Sequence, residues 1–356
     1  MAGPPQTNSV PARILVIRLS ALGDVIRTLP LLAPLRHRFP LARISWLCEP
    51  AQEAVVAPQP LVDEVLIFPR RDLARALSSG RLARAALRSR SLIRELRRRR
   101  FDVVLDAQGT YKSGILMRLS GARLRIGFAR GAAREYLPGA ANCLVTPAPP
   151  RQSRVEKALA LLGPLEADPA RARPELPVVE ELARQATAIW AEKDAGARVI
   201  LSPGASSRQD YKRWPPDRFA AVGAGLAAAG ARVRVAWGPG EEKLAAQVES
   251  LSGGLARRLP PTSLPLLAET LRAADLFIGN DSGPMHLAWL VGTPVVAIYG
   301  PTDPILNAPW GTGHRQVALP DQRRRALGRD PALMTEIEPA TVLAAARECL
   351  AEQDET

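Results

Sequence analysis

Two stretches of the chain end an apolar run on residues that handle anions. In FIGNDSGPMHLAWLVGTPVVAIYGPTDP, Phe277 to Pro304, a strand-like run stops at Asn280-Asp281-Ser282-Gly283. Asp281 or Ser282 can cap a helix, Pro284 suits its first turn and Gly292 its end, so the spacing predicts a helix from about Gly283 to Val291. The unsatisfied N–H groups and the dipole at its start favour an anion, and Gly283 lets a phosphate approach the backbone. The second stretch, SPGASSRQDYKRWPPDRF from Ser202 to Phe219, supplies hydroxyls at Ser206 and Ser207, a point charge at Lys212 and a second at Arg208 or Arg213. Together these are the donors a diphosphate needs.

Such loops must be presented by strands. RILVIRL at residues 13 to 19 is a buried-strand pattern, followed by a glycine-containing turn and the helical pattern DVIRTLPLLAPLRHRF; RISWLCE, EVLIFPR and FDVVLDAQG follow at helix-length intervals. From residue 147 to 177 the chain turns Pro-rich around one short helical run, Arg154 to Leu162, and reads as the connection between domains. The pattern then restarts with ARVILSPG, ARVRVAWGPG, ADLFIGN and TPVVAIYG. Strands alternating with helices predict parallel sheets covered on both faces. The expected architecture is therefore α/β, two Rossmann-like domains facing a central cleft: residues 1–175 with the connection from about 147, residues 176–338, and a last helix, 339–356, expected to pack back on the first domain.

The length of 356 residues exceeds what one core usually organises. Cys48, Cys143 and Cys349 are odd in number and widely spaced, which argues against a disulfide framework or a zinc cluster. Residues 1 to 13 lack an apolar core, and every apolar run is broken short of a membrane span, so a soluble, cytoplasmic protein is expected. The net charge of +13 is unevenly placed: residues 1–175 carry 29 Lys and Arg against 14 Asp and Glu, and residues 176–356 carry 19 against 21. A polyanionic partner for the first half follows. The run RLARAALRSRSLIRELRRRR, Arg81 to Arg100, puts Leu82, Ala86, Ile93 and Leu96 near one helical stripe with arginines around it. It reads as a crossover helix of the first sheet whose cationic face could also meet an anionic membrane.

The combination of SALGDVIRTLP (20 to 30), DAQGTYKSG (106 to 114), SSRQDYKRWPPDRF, WGPGEE (237 to 242), LPPTSL (259 to 264) and NDSGPMHLA with GTPVVAIYGPTDP resembles the ADP-heptose:lipopolysaccharide heptosyltransferases, glycosyltransferase family 9. The likeness spans roughly residues 13 to 345, and its DAQGTYKS segment is most similar to heptosyltransferase I. The resemblance implies a GT-B fold and inverting transfer of heptose from ADP-heptose to the Kdo or inner-core region of lipopolysaccharide, with no cofactor and no essential metal. It implies Asp24 as general base, Ser206, Ser207, Lys212, Ser282 and Gly283 at the donor diphosphate, and Asp281 near the donor sugar. Glu241 or Glu242 would take the ribose, Thr262 falls at the adenine side, and His286 matches a family histidine. Lys112, in QGTYKS, is a candidate for the anionic, lipid-linked acceptor; Arg70, Arg71, Arg130 and Arg134 join it on charge alone. The implied location is peripheral, on the inner face of the inner membrane. Tyr111 and Thr262 depart from the family pattern, as does a diphosphate loop one residue longer.

The chemistry agrees independently. Inverting displacement needs a base beside the acceptor hydroxyl, a role a carboxylate at the start of the first helix can fill, and cations or a helix end to stabilise the departing diphosphate. Another acceptor, a core sugar or a protein, remains open. A dinucleotide oxidoreductase would need G-x-G-x-x-G after the first strand, where SALGDV stands instead. A non-catalytic basic module for lipid or nucleic acid would explain the first half but not the paired loops of the second, and no nucleic-acid partner is expected.

Overall fold

The computed structural model describes residues 10–191 and 196–354, the side chains of Arg84, Ser207, Arg208, residues 325–327 and Asp354 excepted. Its contacts divide the chain between Pro177 and Val178. The first unit holds β1 (Arg13–Ile17), β2 (Arg43–Cys48), β3 (Glu64–Ile67), β4 (Val103–Asp106), β5 (Leu124–Phe128) and β6 (Cys143–Val145), in the order β3-β2-β1-β4-β5-β6. The second holds β7 (Arg198–Ser202), β8 (Arg232–Val235), β9 (Ala256–Arg258), β10 (Leu276–Asn280), β11 (Val295–Tyr299) and β12 (Arg315–Ala318), in the order β12-β11-β10-β7-β8-β9. Neighbouring strands run parallel in both, and the central ones are buried on both faces, as their unbroken apolar runs require.

Both orders reverse next to the first strand of the sheet. The chain steps outward from β1 to β3 and returns to place β4 on the other side of β1; it steps from β7 to β9 and returns with β10 beside β7. At such a point the loops leaving adjacent strands diverge, opening a crevice at the carboxyl ends. The two β1/β4 and β7/β10 crevices are where chemistry belongs.

Four readings of the sequence change. The helical pattern after β1 breaks into Leu22–Ile26, a 3-10 turn Leu29–Leu31 and Leu32–Arg38, because Pro30 cannot donate the N–H that would continue the first piece. The Pro-rich stretch is not a bare connection: Val155, Leu161 and Leu162 are buried in the first unit. The helix over the basic run, Leu82–Arg98, buries Ala85, Leu92 and Leu96 and leaves Leu82 and Ala86 exposed; it is preceded by a separate helix, Arg70–Ser78. The last helix, Pro339–Asp354, contributes Val342, Ala346 and Cys349 to the core of the second unit.

Candidate active site

At the first crevice the ends of β1 and β4 are tied together. Arg18 donates to the carbonyl of Ala107, and Gln108 Oε1 accepts from the Leu19 N–H at 3.0 Å. Asp106 closes β4 and is buried; its carboxylate accepts from the N–H groups of Gln108 at 2.9 Å and Gly109 at 3.1 Å, and from Ser113 Oγ at 2.9 Å. These bonds fold Asp106 to Ser113 into a tight turn, with Gly109 at the positive φ of 64° the turn demands. Burial pushes the Asp106 carboxyl up to about 6, against the pull of those three donors and of Arg18.

Asp24 projects from the short Leu22–Ile26 helix that follows β1. Its carboxylate meets Arg18 Nη2 at 2.7 Å and Arg27 Nη2 three residues on. Burial favours the protonated form, yet the guanidinium groups of Arg18, Arg27 and Arg154 outweigh it and hold the carboxyl well below the usual carboxylate range. A pocket opens here, lined by Arg18, Arg27, Arg134, Arg154 and Lys157 around Asp24, with Gln108 and Phe128. Lys157 reaches across the Phe128 ring, 4.9 Å from its centroid, to donate to the Ala132 carbonyl. Burial lowers its pKa, and Arg154 and Arg18 lower it further. A lining of five cations and one carboxylate suits an anionic ligand.

Of the acceptor residues expected from the sequence, Arg134 lines this pocket. Lys112 is exposed beside the Phe68 ring, 5.8 Å from its centroid, and Arg70 pairs with Glu49 at 3.2 Å. Arg71 and Arg130 are exposed and lie off the lining. Arg18, Arg27, Arg154 and Lys157 were not singled out from the sequence. For Arg27 the signal was present: three residues after Asp24 on a helix is ion-pair spacing.

At the second crevice, Lys212 Nζ lies 3.0 Å from Asp281 Oδ2, and both are nearly buried. Asp281 also has His286 Nε2 at 3.8 Å, while His286 Nδ1 accepts from the indole N–H of Trp289 at 3.0 Å. The helix expected after Gly283 runs Gly283–Leu290 with Ser282 at its N-cap position. The Ser282 hydroxyl makes no capping bond and is buried without a hydrogen-bond partner. The loop after β7 is held by Asn280, fully buried, which accepts from the Trp214 N–H at 3.1 Å and donates to the Pro203 carbonyl at 2.9 Å. Sequence reasoning took Asn280 only as a strand end.

Glu241 and Glu242 are held differently. Glu241 accepts from the Gly238 N–H at 3.0 Å and turns its carboxylate against Gly204, whereas Glu242 faces Arg258 at 3.7 Å. A Cβ on Gly204 would stand 2.2 Å from Glu241 Oε2, so only glycine leaves this carboxylate in place. Ser206 is exposed in the same loop, Thr262 is half-buried in the segment after β9, and the Ser207 side chain lies outside the described residues. Among the described residues no cluster of three or more His, Cys, Asp or Glu is placed to hold a metal, and no helix is long and apolar enough to cross a membrane.

The pattern of glycosyltransferase family 9 (heptosyltransferase) matches residues 89–332. The chain belongs to glycosyltransferase family 9. Lipopolysaccharide heptosyltransferase 1 of Pseudomonas aeruginosa is 29% identical to this family 9 enzyme over 84% of the chain and 81% of the relative. The Escherichia coli K12 protein of the same name is 27% identical over 84% and 91%. Among solved structures, Escherichia coli heptosyltransferase WaaC with ADP aligns at a TM-score of 0.74 with 24% identity, covering 95% of this chain and 99% of that one. Escherichia coli ADP-heptose lps heptosyltransferase II aligns at 0.75 with 22% identity, covering 96% and 99%. The fold of this glycosyltransferase is GT-B, its two six-stranded parallel sheets matching those structures.

Proposed function

We propose that this family 9 glycosyltransferase transfers heptose from ADP-heptose to an acidic sugar of the lipopolysaccharide inner core, of Kdo type, with inversion and without a metal. The observation that carries the reading is the pocket at β1/β4, where Asp24 is the carboxylate on a lining of cations. Such a lining fits a carboxylated or phosphorylated acceptor, and its carboxylate fits the base that an inverting attack requires. Because Arg18 and Arg27 hold Asp24 ionised, it is a weak base, suited to take the proton late, as the bond to the anomeric carbon acidifies the attacking hydroxyl.

On the donor side, the diphosphate would lie over the Gly283 helix start, with the Ser282 hydroxyl and Lys212 as donors. Asp281 keeps the Lys212 ammonium aimed at that place, and the incoming phosphates share the charge. Glu241, held against Gly204, would take the ribose. The relatives named above as heptosyltransferases support the same donor.

Two measurements test this. In a thermal-shift panel, ADP and ADP-heptose raise the melting temperature and UDP, GDP and NAD do not. Asp24→Asn lowers transfer to a Kdo-bearing acceptor by about 10²- to 10⁴-fold, the usual worth of a positioned base, with ADP affinity kept within about twofold. Full turnover in that variant would remove Asp24 from the chemistry; a shift with UDP instead of ADP would change the donor.

A further inference from the structure

The two helices between β3 and β4 form an arm that the transfer chemistry does not use. Arg70–Ser78 and Leu82–Arg98 are joined by Ser79-Gly80-Arg81, with Gly80 at φ 69°, and fold against each other as a hairpin. Ala76 and Ala85 are buried at their contact, and Arg88 on the second helix pairs with Asp72 on the first.

The hairpin leaves the carboxyl edge of the first sheet, its first helix starting three residues after β3 ends. Leu92 and Leu96 share a core cluster with Leu66 and Phe68, at the carboxyl end of β3. The ten residues of the helix before Leu92, from Leu82 on, make about 15 Å of helix in which Ala85 is buried and most of the other described side chains are exposed. The same carboxyl edge carries Asp24 and its cationic pocket.

At the tip, Leu77, Leu82 and Leu87 are 56%, 65% and 68% exposed, among the most exposed large apolar side chains described. Exposed arginines surround them: Arg75 and Arg81 beside the turn, Arg90 and Arg94 continuing the Leu87 face at helical spacing. A crevice between the helices is lined by Asp72, Arg75, Ala76, Ser79, Arg81 and Arg88. Over residues 70–100 the sequence holds 12 arginines against Asp72 and Glu95.

Apolar side chains at the end of a cationic amphipathic hairpin meet the requirements of an anionic bilayer surface, the leucines entering the acyl boundary and the arginines the headgroup phosphates. A nucleic acid would use the arginines but has no place for three protruding leucines. We propose that the Arg70–Arg98 hairpin docks the protein on an anionic lipid bilayer through Leu77, Leu82, Leu87 and the arginines around them. The docking presents the Asp24 edge of the first sheet to the membrane, whichever sugar is transferred.

Vesicle flotation of the full chain tests this without turnover. With vesicles of phosphatidylglycerol and phosphatidylethanolamine the protein floats; with phosphatidylcholine alone it stays behind, and added salt weakens binding. Leu77→Ser/Leu82→Ser/Leu87→Ser lowers partition to the anionic vesicles at least tenfold, as does Arg81→Gln/Arg90→Gln/Arg94→Gln, while circular dichroism and the melting temperature stay unchanged, which shows both variants folded. Three outcomes overturn the proposal: no flotation of the wild type with anionic vesicles, equal partition of the serine variant, or stripping of the wild type from vesicles by duplex DNA that the serine variant binds equally well.

Discussion

Asp24 lies between two guanidinium groups, and the same two contacts fix its charge and its direction. Its depressed pKa means the pairing stabilises the fold above the ordinary carboxylate range and is lost only when pH falls through the lower folded value, so Asp24 stays ionised wherever the enzyme works. Glu241 is fixed differently, by what is missing opposite it. A methyl group on Gly204 would press into the Glu241 carboxylate, whose flexible end moves more easily than the loop backbone. Gly204→Ala should therefore displace Glu241 and cost the ribose contact proposed for it without removing the group. A hydrogen bond to a charged partner is worth about 1.5 to 3 kcal/mol, so Gly204→Ala and Glu241→Ala should each weaken ADP binding about tenfold or more by calorimetric titration. Because both act on one contact, the double variant should bind no worse than Glu241→Ala. Additive losses would show that Gly204 serves something other than Glu241.

The turns at the strand ends explain what the sequence makes legible. β1, β4, β10 and β11 are unbroken apolar runs and could be read directly, as could the helix after Gly283 with its proline and terminal glycine. β5, β6, β9 and β12 escaped notice: Arg125, the Arg257-Arg258 pair and Arg315 interrupt three of them, which border or approach the sheet edges, and the edge strand β6 is only three residues long. The cationic pocket escaped for another reason: Arg18, Arg134 and the Arg154–Leu159 helix with Arg154 and Lys157 are brought together by topology from three separate segments, and local spacing cannot show that. Asp106 organises the turn that brings Gln108 to this pocket, and its titration gives an element-scale test. Its pKa rises from 3.8 unfolded to about 6 folded. Between those values the folded chain holds a proton the unfolded chain has released, so stability falls as pH rises through that window and is level above it. A shift of this size corresponds to up to about 3 kcal/mol. In Asp106→Asn the amide oxygen can keep the Gln108 and Gly109 N–H groups and the NH₂ can donate to Ser113 Oγ, so the variant should keep the turn and lose the slope. Denaturant melts should show the variant gaining on the wild type between pH 4 and 6.5; a difference constant with pH would disprove the assignment.

Across the whole molecule the charge divides with the two units. The first unit carries the excess of Lys and Arg along with the cationic pocket and the arginine hairpin; the near-neutral second carries the glycine-opened helix start and the nearly buried Lys212–Asp281 pair. If the second unit alone holds the nucleotide, binding energy must appear there. ADP at about 100 times its Kd adds about 2.7 kcal/mol to states that retain the site, which slows exchange about 100-fold for amides that open only when the site is lost. Hydrogen exchange should accordingly show ADP protecting residues 203–214, 238–242 and 280–284, through the Asn280 bonds that tie the β7 loop to β10. The turn from Asp106 to Ser113 and the segment 18–28 should exchange at unchanged rates. Protection at Arg18 to Thr28 with none at residues 280–284 would place the nucleotide on the wrong sheet and reverse the donor and acceptor roles of the two crevices.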